Sequence, residues 1–520
     1  MNPNPLDRTL VVPALVRSRA DTDGDSLFMV DSTGASVTFA ACHDQVLRYV
    51  DLLSHLGVGA ADRVAVMLPT SIDEQCLWLA CGWIGALQVP VNPALRGDPL
   101  RHVLNDSSPS VVIASLKDTT AIDEVRDDSD GPHVAWDSDT SAPAGWESGI
   151  DVRRGLAMAR IGRGPEPWDT AAVIYTSGTT GPAKGVLTPW GQLASGISAF
   201  HDLCPGDRLY APFAPFHLSG KLPVQLMAYW TGTWVFRDGF KTDRFWADVR
   251  SWNCNRAWLF HAMAKFIWDQ APQPSDADNP LESVTGGPVM VQYRELEARF
   301  RFEMRTNYGM TEAGWPITSG AGLTDHRSSG RRREGYELMI VDEYDREVAE
   351  GQVGELLLRP RVPWTTSKGY LGHSAATAES WRNGWFHTGD AFRIDDGQYY
   401  FIDRMRDTIR RRSETISSFD VESMVLAHSG VAECAALGVP SEFGEEEIKV
   451  FVVRADGCDL TAPELWTDLR TSMPRFMVPR YIEFVDDLSK TVTGRVRKFQ
   501  LRDMSEPGRT WDALSAGTNR

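Results

Sequence analysis

The residues best suited to chemistry stand together at Ala171-Ala-Val-Ile-Tyr-Thr-Ser-Gly-Thr-Thr-Gly-Pro-Ala-Lys-Gly185. An apolar, strand-like run passes into hydroxyls and glycines, and Lys184 closes the segment. Gly178 and Gly181 free the backbone to turn its N–H groups toward an anion. Thr176, Ser177, Thr179 and Thr180 add hydroxyl donors, and Lys184 adds a point charge. Such a set suits a polyphosphate. It is not the Walker loop, which ends in Gly-Lys-Ser/Thr, because here Lys184 follows Ala183 and precedes Gly185. A lone cluster of Gly, Ser and Thr is ordinarily a polar turn. The strand that feeds this one, and the lysine that ends it, set it apart.

Further segments carry chemistry of the same kind. Asn307-Tyr-Gly-Met-Thr-Glu312 sets a tyrosine and a glutamate in a turn, which alone would mean little. Gly286-Gly-Pro288 lies upstream of it. Trp385-Phe-His-Thr-Gly-Asp390 ends in an acid that alone would read as a turn residue. Phe401-Ile-Asp-Arg-Met-Arg-Asp-Thr-Ile-Arg410 alternates acids and bases, and Pro215-Phe-His-Leu-Ser-Gly-Lys221 sets His217 and Lys221 in an apolar stretch.

In this order the segments resemble the adenylate-forming superfamily of acyl-CoA synthetases, peptide-synthetase adenylation domains and beetle luciferases. The loop is similar to that family's YTSGTTGxPKG signature. The resemblance covers nearly the whole chain, and its texture is most similar to bacterial ligases of the crotonobetaine/carnitine-CoA type. It implies ATP and Mg²⁺ as cofactors, with CoA as an acceptor. Thr176 to Gly181 and Lys184 would hold the phosphates, and Gly286, Gly287 and Pro288 would border adenine. Tyr308 would pack on the base, within the motif of Asn307, Gly309 and Met310. Thr311 would meet the phosphates, and Glu312 would bind the metal. Asp390 would take the ribose hydroxyls, and Arg404 the ribose or phosphates. Arg406 falls at the interdomain hinge. His217, Lys221, Gly309 and Trp315 would line the acid pocket. Lys221 would either recognise an anionic group on the substrate or point to solvent.

Three departures stand out. Arg495 replaces the lysine that usually bridges the acid and the α-phosphate, and arginine is wider, planar and differently hydrated. Lys490 and Lys498 are nearby substitutes off register. Ser413 replaces a glycine that lines the pantetheine tunnel. Ser329-Gly-Arg-Arg-Arg-Glu-Gly335 replaces a proline-bearing approach, and its arginines would hold an anion or face water. The catalytic set under the resemblance is Lys184, Thr311, Glu312, Arg495 and His217.

Alternating strand and helix patterns must position these groups. Residues 64–68, 111–115 and 171–175 read as buried strands, and 44–56 and 243–252 as helices. Residues 75–95 read as a buried helix followed by a short strand at 87–91; Gly82, Gly85 and Pro90 interrupt them, so they are not a membrane span. Residues 336–341, 354–359 and 398–402 alternate like antiparallel strands of a small β module. The expected fold is therefore α/β: a large N-terminal domain of αβ-layered subdomains plus that module, and a mobile α+β lid. The expected bounds are 1–402, a hinge at 403–406, a C-terminal domain at 407–505 and a frayed tail at 506–520. No internal repeat is visible.

The 520 residues carry 53 basic and 70 acidic side chains, a net charge of −17. That balance disfavours nucleic acid and membrane surfaces as partners. Seven cysteines without a CxxC pair, and no secretory leader, fit a cytoplasmic protein with reduced thiols. The expected activity is adenylation of a small acid with release of pyrophosphate, then transfer to CoA. The altered acceptor side keeps open adenylation of nitrite with transfer to an aromatic amine, or another amine acceptor. A non-catalytic nucleotide-binding protein is the reading of another class.

Overall fold

Ser71 opens the helix Ile72–Ile84 by accepting from the Glu74 N–H at 3.2 Å, and Gly85 closes it at φ 75°. Strand Leu87–Pro90 follows directly. The same logic of caps and β-branched runs builds the rest of an α/β chain. The computed structural model describes residues 3–125, 131–138, 142–176, 182–287, 289–290, 292–320, 322–323, 325–405, 407–411, 414–440, 446–475, 477–490, 496–503 and 509–515.

The strands of the first part are, in chain order, β1 (Leu27–Asp31), β2 (Ser36–Thr38), β3 (Arg63–Met67), β4 (Leu87–Pro90), β5 (Val111–Ala114), β6 (His133–Ala135), β7 (Glu147–Ser148), β8 (Thr170–Thr176), β9 (Lys184–Pro189), β10 (Arg208–Tyr210), β11 (Thr233–Phe236), β12 (Arg256–Trp258), β13 (Ser283–Thr285) and β14 (Glu303–Arg305). They form two seven-stranded sheets. One runs β14-β13-β12-β10-β11-β1-β2 and the other β7-β6-β5-β3-β4-β8-β9. Each is parallel except for its last strand, which turns back on its neighbour as a hairpin. In each, five consecutive strands lie in the order fifth, fourth, third, first, second, and the hairpin adds beside the second. The sequence shows no repeat because this order needs only alternating strands and helices, not shared residues.

The core lies between helices and sheets. Trp78 on helix Ile72–Ile84 stacks on Trp190 at 5.1 Å and donates its indole N–H to the Ala171 carbonyl at 2.9 Å. This pins the start of β8 to the core. Both indoles are almost fully buried, so replacing either with alanine costs about 3–5 kcal/mol.

The chain divides into two units. Met1–Glu337 with Leu358–Trp385 forms the first, and Leu338–Leu357 with Phe386–Arg520 the second. The expected boundary at Asp403 therefore lies inside the second unit. Strands Phe386–Asp395 and Gln398–Arg404 pair as a hairpin, and the Asp403 carboxylate accepts the Ser418 N–H at 2.7 Å. That hydrogen bond ties the hairpin to the segment beyond it. The second unit also holds an antiparallel and parallel sheet of Val431–Pro440, Glu446–Arg454, Tyr481–Phe484 and Trp511–Asp512. The last of these corrects the expected frayed tail. Trp511 packs edge-on against Trp466 at 5.9 Å, and Asp512 takes two N–H groups of Arg480 at 3.0 and 3.1 Å.

Candidate active site

The segment expected to hold a polyphosphate connects β8 to β9. Thr176 and Lys184 face each other across its mouth, while Ser177, Gly178, Thr179, Thr180 and Gly181 lie outside the described residues. Gly185 keeps the two strands close, since a Cβ there would sit 2.7 Å from Val173. Residues 367–371 run along the outer side of β9. Lys368 donates its N–H to the Leu187 carbonyl, and Leu187 and Leu371 donate theirs to the carbonyls of Gly369 and Gly185, all at 2.8–2.9 Å.

This pairing places Tyr370, which the sequence reading did not single out. Its ring centroid lies 5.4 Å from the Lys184 ammonium, a cation–π distance. Its hydroxyl donates to Glu312 Oε1 at 3.2 Å. Burial, then the Glu312 charge, pushes that hydroxyl well above the usual phenol range, so it remains a donor. Lys184, Tyr370 and Glu312 thus form one connected group. The Glu312 carbonyl also accepts the Ser367 N–H at 2.8 Å, and Gln192 donates to the Thr311 carbonyl at 2.7 Å. The sequence signal available for Tyr370 was only Lys368-Gly-Tyr370, which reads as a loop.

Asn307–Met310 pairs antiparallel with Gly314–Thr318. Tyr308 is half-buried, with its hydroxyl 3.7 Å from the Met310 sulfur. At Gly309 a Cβ would lie 2.7 Å from the Gly314 carbonyl and 2.8 Å from the Trp315 ring. Gly286 follows strand β13 and is tighter still: a Cβ would lie 1.9 Å from the Leu259 carbonyl oxygen. Gly287 lies against Asn307 and Thr306, where a Cβ would be 3.1 and 3.3 Å away. The two glycines thus bring backbone beside the Tyr308 motif, and Pro288 lies outside the described residues. Gly286→Ala is expected to cost about 1–3 kcal/mol by overpacking. Thermal melts should show the loss, and nucleotide binding should weaken with it.

Of the expected acid-pocket residues, Gly309 lies against Trp315 and Lys221 stands apart. His217 sits at the N-terminal end of helix Leu218–Trp230, half-buried, with its ring 4.8 Å from Phe216. Trp315 meets Phe200 edge-on at 6.1 Å. Phe200, Trp258, Phe213 and Phe260 continue this aromatic group through contacts of 4.4–6.3 Å, and the motif reading missed it. Lys221 is not part of it. Its side chain is 1% exposed, and its ammonium donates to Glu74 Oε1 and Gln88 Oε1, both at 2.7 Å. Both expectations for Lys221 are therefore corrected: it faces neither solvent nor a substrate anion, because a buried ammonium requires partners and these supply them. Burial pushes the Glu74 carboxyl up and the Lys221 ammonium down, and their contact pulls each back.

The arginine run also divides. Arg331 and Arg332 are exposed, but Arg333 is buried and donates to the carbonyls of Trp315 and Ser195 at 2.7 and 2.6 Å. It therefore braces the fold beneath Trp315, and the anion reading fails for it.

In the second unit Asp390 and Arg404 stand opposite each other on the hairpin, Arg404 Nε 2.9 Å from Asp390 Oδ1. Glu355 steadies the residues just before Asp390 on its strand: its carboxylate accepts the Gly389 N–H and contacts His387 Nδ1, both at 3.0 Å. Arg406, Ser413 and Arg495 lie outside the described residues. Of the nearby lysines, Lys498 is tied to Glu422 at 2.8 Å, and Lys490 pairs with Glu433. Each substitute for the missing lysine thus has a carboxylate partner of its own.

Comparison with known families settles the relationship. The family described as AMP-binding enzyme matches residues 16–371. The chain belongs to this family. The AMP-binding enzyme C-terminal domain matches residues 420–495. A crotonobetaine/carnitine–CoA ligase of Salmonella typhi is 28% identical over 480 residues, spanning 89% of this chain and 93% of its own. Among solved structures, the anthranilate CoA ligase AuaEII with anthranoyl-AMP superposes with a TM-score of 0.84 at 20% identity, covering 95% and 96% of the two chains. ATP-bound MatB of Rhodopseudomonas palustris gives 0.81 at 23%, covering 95% and 98%. These likenesses establish for the AMP-binding enzyme a shared architecture, a large layered N-terminal part and a smaller β-containing C-terminal part. Among the described residues no helix is long and apolar enough to cross a membrane.

Proposed function

We propose that this AMP-binding enzyme is an ATP-dependent, AMP-forming ligase that activates a small carboxylic acid and transfers it to CoA. The observation that carries the reading is the Lys184–Tyr370–Glu312 group at the mouth of the loop hairpin. In the first step an acid oxygen attacks the α-phosphate, the bond to the β-phosphate breaks, and pyrophosphate leaves. Lys184 supplies fixed positive charge beside the phosphates, where charge shifts toward the leaving group. Glu312 is the carboxylate suited to Mg²⁺, which neutralises phosphate charge when bound. Thr311 and the hydroxyls Thr176, Ser177, Thr179 and Thr180 add donors around the same phosphates. Tyr308 with Gly286, Gly287 and Pro288 receives adenine. Asp390 and Arg404 receive the ribose, and Arg406 serves as the hinge. In the second step the CoA thiol attacks the acyl carbon, the thioester forms, and AMP leaves.

His217, Gly309 and Trp315, with the aromatic group behind Trp315, border the acid in this reading. Arg495 takes the place of the usual bridging lysine. The CoA-ligase relatives support CoA as the acceptor, and they do not favour nitrite or an amine. The cytoplasmic setting expected from the cysteine count belongs to the same proposal. A pyrophosphate-release panel tests it, with carboxylic acids and nitrite, each with and without CoA and aryl amines, read by mass spectrometry. The expected result is AMP together with an acyl-CoA, formed only when acid and CoA are both present. AMP release that requires nitrite and adds nitrogen to the amine would replace this reading by the diazotising one. Nucleotide binding without pyrophosphate release would exclude both.

A further inference from the structure

Beside the loop hairpin His102, Asp106 and His373, which none of the phosphate motifs contains, gather round Tyr175 and Ala183 of the first motif. His102 and Asp106 stand one turn apart on helix Gly97–Ser107 and so share a face. His102 donates its Nε2–H to the Ala183 carbonyl at 2.7 Å, one residue before Lys184. Asp106 is held from two directions. Tyr175, the residue before Thr176, donates its hydroxyl to Oδ2 at 2.6 Å. His373 donates Nε2–H to Oδ1 at 2.9 Å.

These contacts gather both sides of the hairpin and the segment 367–373 on one helix. Tyr175 on β8 and Ala183, just before β9, flank the loop on its two sides. His373 ends the segment whose Tyr370 lies under Lys184 and bonds Glu312. One carboxylate therefore links the strand entering the loop to the segment that carries the Lys184–Glu312 bridge. Burial and this carboxylate push the Tyr175 hydroxyl well up, so it stays protonated as a donor. The Asp106 side chain is 14% exposed, and that of His373 is 37% exposed.

We propose that Asp106, gripped by Tyr175 and His373, is a positioning residue for the triphosphate: it sets the distance between the loop hairpin and the Tyr370–Glu312 side of the site. Asp106 touches no phosphate itself and acts through Tyr175 and His373. The inference rests on the ATP-dependent reading above.

Direct calorimetric titration with MgATP tests it without knowledge of the acid. Asp106→Ala and His373→Ala are each expected to weaken MgATP binding about tenfold, the scale on which supporting residues act when they displace a bound group. His373→Gln keeps an N–H for Asp106 and is expected to recover wild-type affinity to within about threefold. Because His373 is partly exposed, its variants should fold even if Asp106→Ala does not, and thermal melts of each confirm this. Binding by both alanine variants within about twofold of wild type overturns the proposal. So does a glutamine variant as weak as the alanine one. A wild-type protein that does not bind MgATP overturns the ligase reading and this proposal together, whereas tight binding by every variant overturns this one alone.

Discussion

Lys184→Ala is expected to slow pyrophosphate release by about two to three orders of magnitude, the usual cost of removing one preorganised charge stabiliser. The fold should barely notice. Lys184 is half-buried at the hairpin mouth, and its ammonium lies over the face of Tyr370. Such a contact contributes about 0.5–1 kcal/mol, so melting should shift little while turnover collapses. Lys184→Arg keeps the charge but spreads it over a planar fork, and it should recover only part of the rate. The check is a continuous pyrophosphate assay alongside a thermal melt of each variant. Unchanged turnover in Lys184→Ala would remove the hairpin loop from the phosphate site.

The second large effect falls on stability. Lys221→Ala leaves the Glu74 carboxyl, 0% exposed, without its cation. Breaking a buried pair from one side costs about 3–5 kcal/mol. Burial already raises the Glu74 carboxyl, and Lys221 is the principal influence lowering it. In Lys221→Ala that counterweight is gone, and the folded-state pKa rises further above the unfolded one. A group of that kind stabilises the fold below the unfolded carboxyl range and loses that contribution as pH climbs through the folded value. The deficit should therefore deepen from mildly acidic to neutral pH, as read by denaturant titration at several pH values. The double variant Lys221→Met with Glu74→Gln removes both charges and should recover most of the loss. A single variant as stable as wild type at neutral pH would show that the pair is not buried in solution. Acid selectivity should not change in the double variant, because Lys221 lies in the core and not beside the substrate.

Much of this architecture was legible before any coordinates. The strands at 64–68, 111–115 and 171–175 and the helix within 75–95 rest on local patterns, and local patterns survive folding. Lys184 stood out by the strand and the glycines and hydroxyls before it, whereas Glu312 entered through the family resemblance, since a glutamate in a turn says little alone. What escaped was partner choice over long separations. Lys221 and Glu74 lie 147 residues apart, and no local rule relates them. Arg333 was grouped with two exposed neighbours because its partners, the Trp315 and Ser195 carbonyls, are distant in sequence and leave no local sign. Tyr370 looked like a loop residue because its strand-like pairing is supplied by β9. Trp511 looked frayed because a two-residue strand has no sequence signature of its own.

The two sheets of identical strand order offer an internal comparison. In one, the closing hairpin β1–β2 turns through residues 32–35, with Asp31 and Ala35 hydrogen-bonded across it. In the other, β8 and β9 are joined by residues 177–183. The short version shows what this edge needs in order to form: two strands and a tight reversal. The additional residues of the long version are not needed to close a sheet edge. The same plan thus occurs twice in the first part of the chain, once closed by a tight reversal and once by a longer connection beside Lys184.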